Sequence, residues 1–96
     1  MDTEELGRRI DKAIGEELRA HRQKQKLSRA ALSDLSGISA STIQRVEEGQ
    51  RSPDAQQLTK LTAALGLSLR DFVNSALRDI EGASGPEKPS PTSQRG

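Results

Sequence analysis

The side chains able to do chemistry in this 96-residue chain are mainly cationic or hydrogen-bonding, and they crowd its central third. Between residues 19 and 52, Arg19, Arg22, Lys24, Lys26, Arg29, Arg45 and Arg51 face only Asp34, Glu47 and Glu48, a local charge of +4 in a chain whose total is +1. Residues 1–18 hold three basic and six acidic groups, net −3, so the chain is dipolar. A basic segment of this kind either meets a polyanion or is simply a solvated helix surface. Ser41, Gln44 and Arg45 add neutral and charged hydrogen-bonding groups at close spacing within it.

Covalent and metal chemistry are poorly supplied. With no Cys there is neither a disulfide scaffold nor a thiolate metal site, and the single His21 has no second ligand beside it. His21 reads as a surface or boundary residue. No nucleophile–base arrangement, phosphate-cradling Gly loop or carboxylate cluster stands out, so the expectation is no enzyme, no catalytic residue, no metal and no cofactor. The near absence of aromatics weighs against RNA-recognition and single-strand-binding folds, which stack bases on Tyr, Phe or Trp. No run approaches the roughly 18 apolar residues of a membrane span, and no basic-then-apolar secretory pattern opens the chain. The cytoplasm is the expected location.

The elements that must position these groups are helical. Leu and Ala dominate the apolar residues and Phe72 is the only aromatic, a composition that favours helices over strands. Residues 3–24 predict one long helix, with Leu6, Ile10, Ile14 and Leu18 four apart, Ala13 on the same stripe and Asp2 as its cap. Gly7 and Gly15 each weaken a helix interior by roughly 1 kcal/mol, so the first turns are expected to fray or bend. The helix should stop near Lys26. Ser28 then caps a short helix with an apolar side of Leu32 and Leu35, Gly37 turns the chain, and Ser39 caps a third helix reaching about Glu48. Gly49 ends that helix, and Arg51, Ser52 and Pro53 form a loop. Asp54 caps a fourth helix bearing Leu58, Leu61 and Leu65, closed by Gly66. Ser68 caps a fifth, with Leu69, Phe72, Val73, Ala76, Leu77 and Ile80 at helical spacing. The expected division is an N-terminal helical extension over 1–12, an all-α five-helix domain over 13–81, and a disordered Pro-, Ser- and Gly-rich tail over 82–96.

Two short helices joined by a Gly turn can place the second in a DNA major groove. Leu32, Ile38, Ile43 and Val46 form the inward set, Ser33 is small where the helices approach, and Gly37 occupies the turn. With these residues in place, the chain resembles the Cro/CI-like helix-turn-helix family, also called the xenobiotic-response-element (XRE) family and known from phage repressors. The resemblance runs from about Ile14 to Val73. It is carried by IGEELRAHR, by LSRAALSDLSGISASTIQRVEEG with the Pro after it, and by LTKLTAALGLSLRDFV. Arg29 stands where the family commonly has Gln, and Ser33 where it often has Ala.

With Ile43 and Val46 turned inward, helical spacing puts Ala40, Ser41, Gln44, Arg45 and Glu48 toward the opposite face. Of these, Ala40, Ser41, Gln44 and Arg45 are the base-reading candidates, and the resemblance points to the same positions. Ser41 can donate or accept, Gln44 can pair with adenine, Arg45 with guanine or else with a phosphate, and Ala40 with a thymine methyl. Ser28, Arg29, Ser39 and Arg51 form the candidate phosphate set, with Lys24 and Lys26 peripheral. Arg29 sits in the first turn of its helix, where the dipole disfavours a cation, and that placement suggests an anionic partner. The resemblance further implies a partly buried ion pair between Arg22 and Glu47.

The expected function is therefore a bacterial or phage-encoded, nucleoid-associated regulator of transcription. It would bind double-stranded DNA at an inverted-repeat operator as a homodimer and act as a repressor, with residues 39–48 as recognition helix. Phe72 is expected in the core, but the helix-five stripe of Leu69, Phe72, Val73, Ala76 and Leu77 exceeds what one small domain buries, so part of it is expected to form the dimer interface, or else the N-terminal extension does so through Leu6 and Ile10. The alternative is a protein-binding module, the antitoxin of a toxin–antitoxin pair with autoregulatory DNA binding.

Overall fold

Five helices account for the regular structure of the computed structural model, which describes residues 2–80. The tail expected to be disordered, 82–96, lies outside the described residues. The first helix, α1 (Thr3–Lys24), begins where the Asp2 carboxylate accepts the Glu5 amide at 2.7 Å. Glu4 and Glu5 in its first turn and Arg22 and Lys24 in its last complement the helix dipole. It is unbroken from Thr3, so the extension and the first helix of the domain are one rod. Ile14 and Leu18 are buried, and Ile10 packs against the core.

The two glycines in α1 do not play the equal, helix-weakening parts expected of them. Gly7 has open space around it, but a Cβ on Gly15 would stand 2.8 Å from the Glu47 carbonyl oxygen and closer still to that of Val46. Gly15 is what lets α1 lie directly on the end of the third helix. The rod stops at a Gln25 cap, after which Lys26 takes a left-handed φ of 59°, the conformation usually given to Gly. The Gln25 amide donates to the Leu65 carbonyl at 2.7 Å and ties this corner to the end of the fourth helix.

Helix α2 (Arg29–Ser36) starts on the Ser28 hydroxyl, which accepts the Ala31 amide at 2.9 Å. It ends at Gly37, whose φ of 77° turns the chain and whose amide donates to Ser33 at 2.8 Å. Helix α3 (Ala40–Glu47) follows its Ser39 cap, and α4 (Ala55–Ala64) begins with a reciprocal box in which Asp54 and Gln57 satisfy each other's amides. Helix α5 (Leu69–Ala76) is capped by Ser68 and is shorter than its apolar spacing suggests: the chain turns at Leu77, and Ile80 reaches the core from beyond the helix. Among the described residues there is no strand.

Helix α1 packs on α3 and α5, α2 on α3 and α4, and α4 on α5. Leu18, Leu32, Ile43, Val46, Leu61 and Phe72 fill the centre, each stabilising by about 1.5–3 kcal/mol through burial. Two expectations about apolar faces need correction. Leu35 is 60% exposed. The inward face of α2 is centred between Leu32 and Ser36, and Leu35 lies about 60° to the far side of Leu32, off the contact. On α5, Phe72 lies in the core as expected, but Ala76 is buried there too, so neither is available to a partner; Leu69, 40% exposed, the half-buried Val73 and, just past the helix, Leu77 remain.

Candidate nucleic-acid interface

The rotation of α3 about its axis decides which groups face outward, and two fully buried residues fix it. Ile43 and Val46 have no exposed surface, which leaves Ser41, Gln44, Arg45 and Glu48 exposed on the other side and Ala40 half-buried between the two. The outer face thus brings together Ser41, Gln44 and Arg45; Ala40, expected with them, lies at its edge, three residues before Ile43 and about 60° from it around the helix.

Its hydrogen bonds set what each group still offers. The Ser39 hydroxyl accepts the Thr42 amide at 3.2 Å and donates to Thr42 Oγ1 at 2.9 Å, so this residue is engaged as a cap while remaining exposed. Its Oγ also lies 3.4 Å from that of Ser41. The Gln44 amide donates to Glu48 Oε2 at 3.2 Å, which uses one of its N–H groups and leaves its carbonyl oxygen as an acceptor. The i, i+4 spacing was the sequence signal for that contact. Arg51 is exposed in the loop after α3, and Ser28 and Arg29 stand at the start of α2.

Behind this face lies a charged cluster. Glu47, 3% exposed, receives Arg22 Nε on Oε2 at 2.7 Å and a second Arg22 nitrogen on Oε1 at 3.0 Å, a two-pronged pair joining α1 to the end of α3. Arg22 also donates to the Leu27 carbonyl at 2.8 Å, closing the α1–α2 corner. Arg29 Nε donates to Glu47 Oε1 at 3.1 Å, and Arg19 Nε lies 3.6 Å from the same oxygen. Burial pushes the Glu47 carboxyl up, but the hydrogen bonds and charge of Arg22, with those of Arg29, outweigh it and hold the group below its ordinary value. The hydrogen bond to Glu47 raises Arg22 in turn, against the opposing effect of burial. Arg29, considered from sequence only as a phosphate contact, is therefore also a partner of Glu47, and the approach of Arg19 was not anticipated. A helix-periodicity reading pairs residues within one element and cannot see a carboxylate shared by three.

His21 Nε2 sits 3.0 Å from Glu17 Oε2, with its ring 6.0 Å from that of Phe72, at the α1–α5 boundary. Among the described residues no cluster of His, Asp and Glu could hold a metal ion, and no helix is long and apolar enough to cross a membrane.

The same arrangement of α1 to α5 is found in known proteins. The sequence model of the helix-turn-helix family matches residues 18–72, more than half of the chain and all of α2, α3 and α4. The chain belongs to the XRE-type helix-turn-helix family. The HTH-type transcriptional regulator PuuR of Escherichia coli (strain K12) is 38% identical over 77 residues, covering 80% of this chain and 36% of PuuR. The HTH-type transcriptional repressor RghR of Bacillus subtilis (strain 168) is 34% identical, covering 77% of this chain and 57% of RghR. The chain thus spans between about a third and somewhat over half of the length of these relatives. Among solved structures, the restriction-modification controller protein C.AhdI of Aeromonas hydrophila superposes with a TM-score of 0.63 at 34% identity, covering 65% of this chain and 94% of that one. The clp gene regulator ClgR of C. glutamicum gives 0.69 at 23% identity over 76% of this chain and 95% of its own, a likeness of fold. The helix-turn-helix of the family is α2–Gly37–α3, and the exposed face described above belongs to its second helix.

Proposed function

We propose that this chain is a sequence-specific DNA-binding regulator of transcription, acting as a repressor, with α3 and its flanking caps (39–48) in the major groove. One observation carries the reading: the buried Ile43 and Val46 lock α3 so that Ser41, Gln44 and Arg45 are exposed together on the second of two helices joined by the Gly37 turn. Gln44 offers an acceptor and one remaining N–H, the pair an adenine edge requires. Arg45 suits the two acceptors of guanine, Ser41 either kind of base, and Ala40 a thymine methyl. Ser28 and Arg29 at the start of α2, Ser39 at the α3 cap and Arg51 in the loop after it would supply backbone contacts that set register without reading sequence. A domain seated on an operator that overlaps a promoter would exclude polymerase and repress, and the relative RghR is itself named a repressor.

One such module reads one half-site. A twofold dimer places two recognition helices about 34–36 Å apart and matches an inverted repeat. The exposed Leu69 with Val73 and Leu77 on α5 supplies one apolar surface for such pairing, and Leu6 and Ile10 on α1 the other. Selection of bound duplexes from random-sequence DNA by the full chain tests the proposal. Recovery of a palindrome with half-sites one turn apart supports it; uniform binding with no shared motif contradicts it.

A further inference from the structure

Glu47 gathers more positive charge than it can neutralise. Three guanidinium groups surround one carboxylate, and Arg22 alone satisfies both of its oxygens. Arg29 and Arg19 then converge on Oε1, at 3.1 and 3.6 Å, so their Nε atoms lie no more than about 7 Å apart. They come from different helices, α1 and α2, and each side chain is between a third and under half exposed, unlike that of Arg22. Among the described residues their terminal nitrogens have no hydrogen-bond or ion-pair partner beyond Glu47. A net charge of two is thus held in one place, with Arg29 further disfavoured by the dipole of the helix it begins.

With Glu47 already paired to Arg22 through both oxygens, the excess positive charge of Arg19 and Arg29 favours a further anion between them. We infer that Arg19 and Arg29 form a two-armed clamp for a single DNA backbone phosphate. Glu47 holds Arg29 through a hydrogen bond to its Nε and draws Arg19 to the same oxygen by charge, while both side chains keep part of their surface in solvent. Arg22 takes no part in the clamp, because it is spent on the buried pair. The inference rests on the DNA-binding reading and adds to it Arg19, on α1, and the sharing of one phosphate. The guanidinium fork suits phosphate geometry, and Arg29, whose Nε is already bonded to Glu47, loses less freedom on binding than a mobile arginine.

The test is the salt dependence of binding by the full chain to two duplexes of equal length, one recovered by selection and one of random sequence. Each phosphate neutralised contributes about 0.9 to the slope of log K against log salt concentration. The wild type, Arg19→Gln, Arg29→Gln and the double variant are compared, with cooperative thermal unfolding checked for each. The clamp predicts that the double variant loses about 0.9 in slope and weakens equally on both duplexes, leaving base preference intact. A loss near 1.8 means two separate phosphates, and an unchanged slope means a purely structural pair; either overturns the clamp. Should the Gln variants unfold, Arg19→Lys and Arg29→Lys keep the charge and remove the fork. The clamp then predicts a retained slope with affinity several-fold lower, and wild-type affinity in both contradicts it. Failure of the wild type to bind either duplex overturns the DNA-binding reading and the clamp with it, an outcome distinct from loss of slope in the variants alone.

Discussion

Replacing Gly15 and Gly7 by Ala makes one chemical change twice in the same helix, with opposite results expected. In an exposed helix interior Ala is favoured over Gly by about 0.5–1 kcal/mol. Gly7 has no neighbour that a methyl group would meet, so Gly7→Ala should gain that amount. Gly15→Ala gains it too, but its Cβ must fit where the Glu47 carbonyl oxygen lies 2.8 Å away and the Val46 oxygen nearer. Both obstacles are backbone, so no rotamer change relieves them, and α1 and α3 must part. Overpacking of this kind costs about 1–3 kcal/mol or more, and movement of α3 also stretches the 2.7 Å bond between Arg22 and Glu47. The net loss should be about 2 kcal/mol. For a domain of this size about 1 kcal/mol moves Tm by 4–8 °C, so Gly7→Ala should melt several degrees above wild type and Gly15→Ala about 8–16 °C below it. Thermal unfolding followed by circular dichroism reads both. Equal stabilisation by the two substitutions would refute the claim that Gly15 permits the α1–α3 contact.

Other consequences are equally concrete. Glu47 has a lowered folded-state pKa, so its contribution to stability is fully present above the ordinary value of 4.5 and is lost as pH falls through the lowered one. Urea unfolding across the acid range should show this loss in the wild type and a weaker pH dependence in Glu47→Gln; parallel curves would contradict it. Arg22→Met, which removes the main partner of a buried carboxylate, should cost about 3 kcal/mol, the lower part of the usual range because Arg29 remains. Wild-type stability in chemical denaturation would rule out a structural pair. Lys26→Gly should stabilise by about 1 kcal/mol, since Lys26 holds a left-handed φ of 59°, and a lower Tm would show that its side chain matters more than its backbone. Leu69→Glu should shift sedimentation toward monomer if α5 carries the dimer, whereas Leu35→Lys should leave both assembly and stability within about 0.5 kcal/mol of wild type.

Caps and turns were legible in the sequence because they depend on neighbours along the chain. Asp2, Ser28, Ser39, Asp54 and Ser68 each accept an amide three residues on, and Gly37, Gly49 and Gly66 each take positive φ. The outer face of α3 was legible for the same reason, since Ile43 and Val46 mark its inner side. What escaped depends on residues far apart in the chain. Whether Gly15 weakens α1 or permits a contact is decided by backbone atoms of Val46 and Glu47, more than 30 residues away. The exposure of Leu35 follows from where α3 and α4 press on α2, and the sharing of Glu47 by Arg19 and Arg29 follows from three helices meeting at one point. Phe72, the lone aromatic, was legible as core, but apolar spacing on α5 could not separate Ala76, spent inside the monomer, from Leu69 at its edge.

The central claim is that the exposed groups of α3 read bases. Its most direct measurement is base preference, position by position, for wild type, Gln44→Ala and Arg45→Ala against single-substitution variants of the selected duplex at fixed salt. The account predicts that each variant loses discrimination at its own symmetric pair of positions, by about 1–3 kcal/mol for the base it contacts, while affinity for random DNA stays near wild type. Uniform weakening across all sequences, with every preference retained, would mean that Gln44 and Arg45 touch only the backbone and would contradict the assignment of α3 as the reading helix.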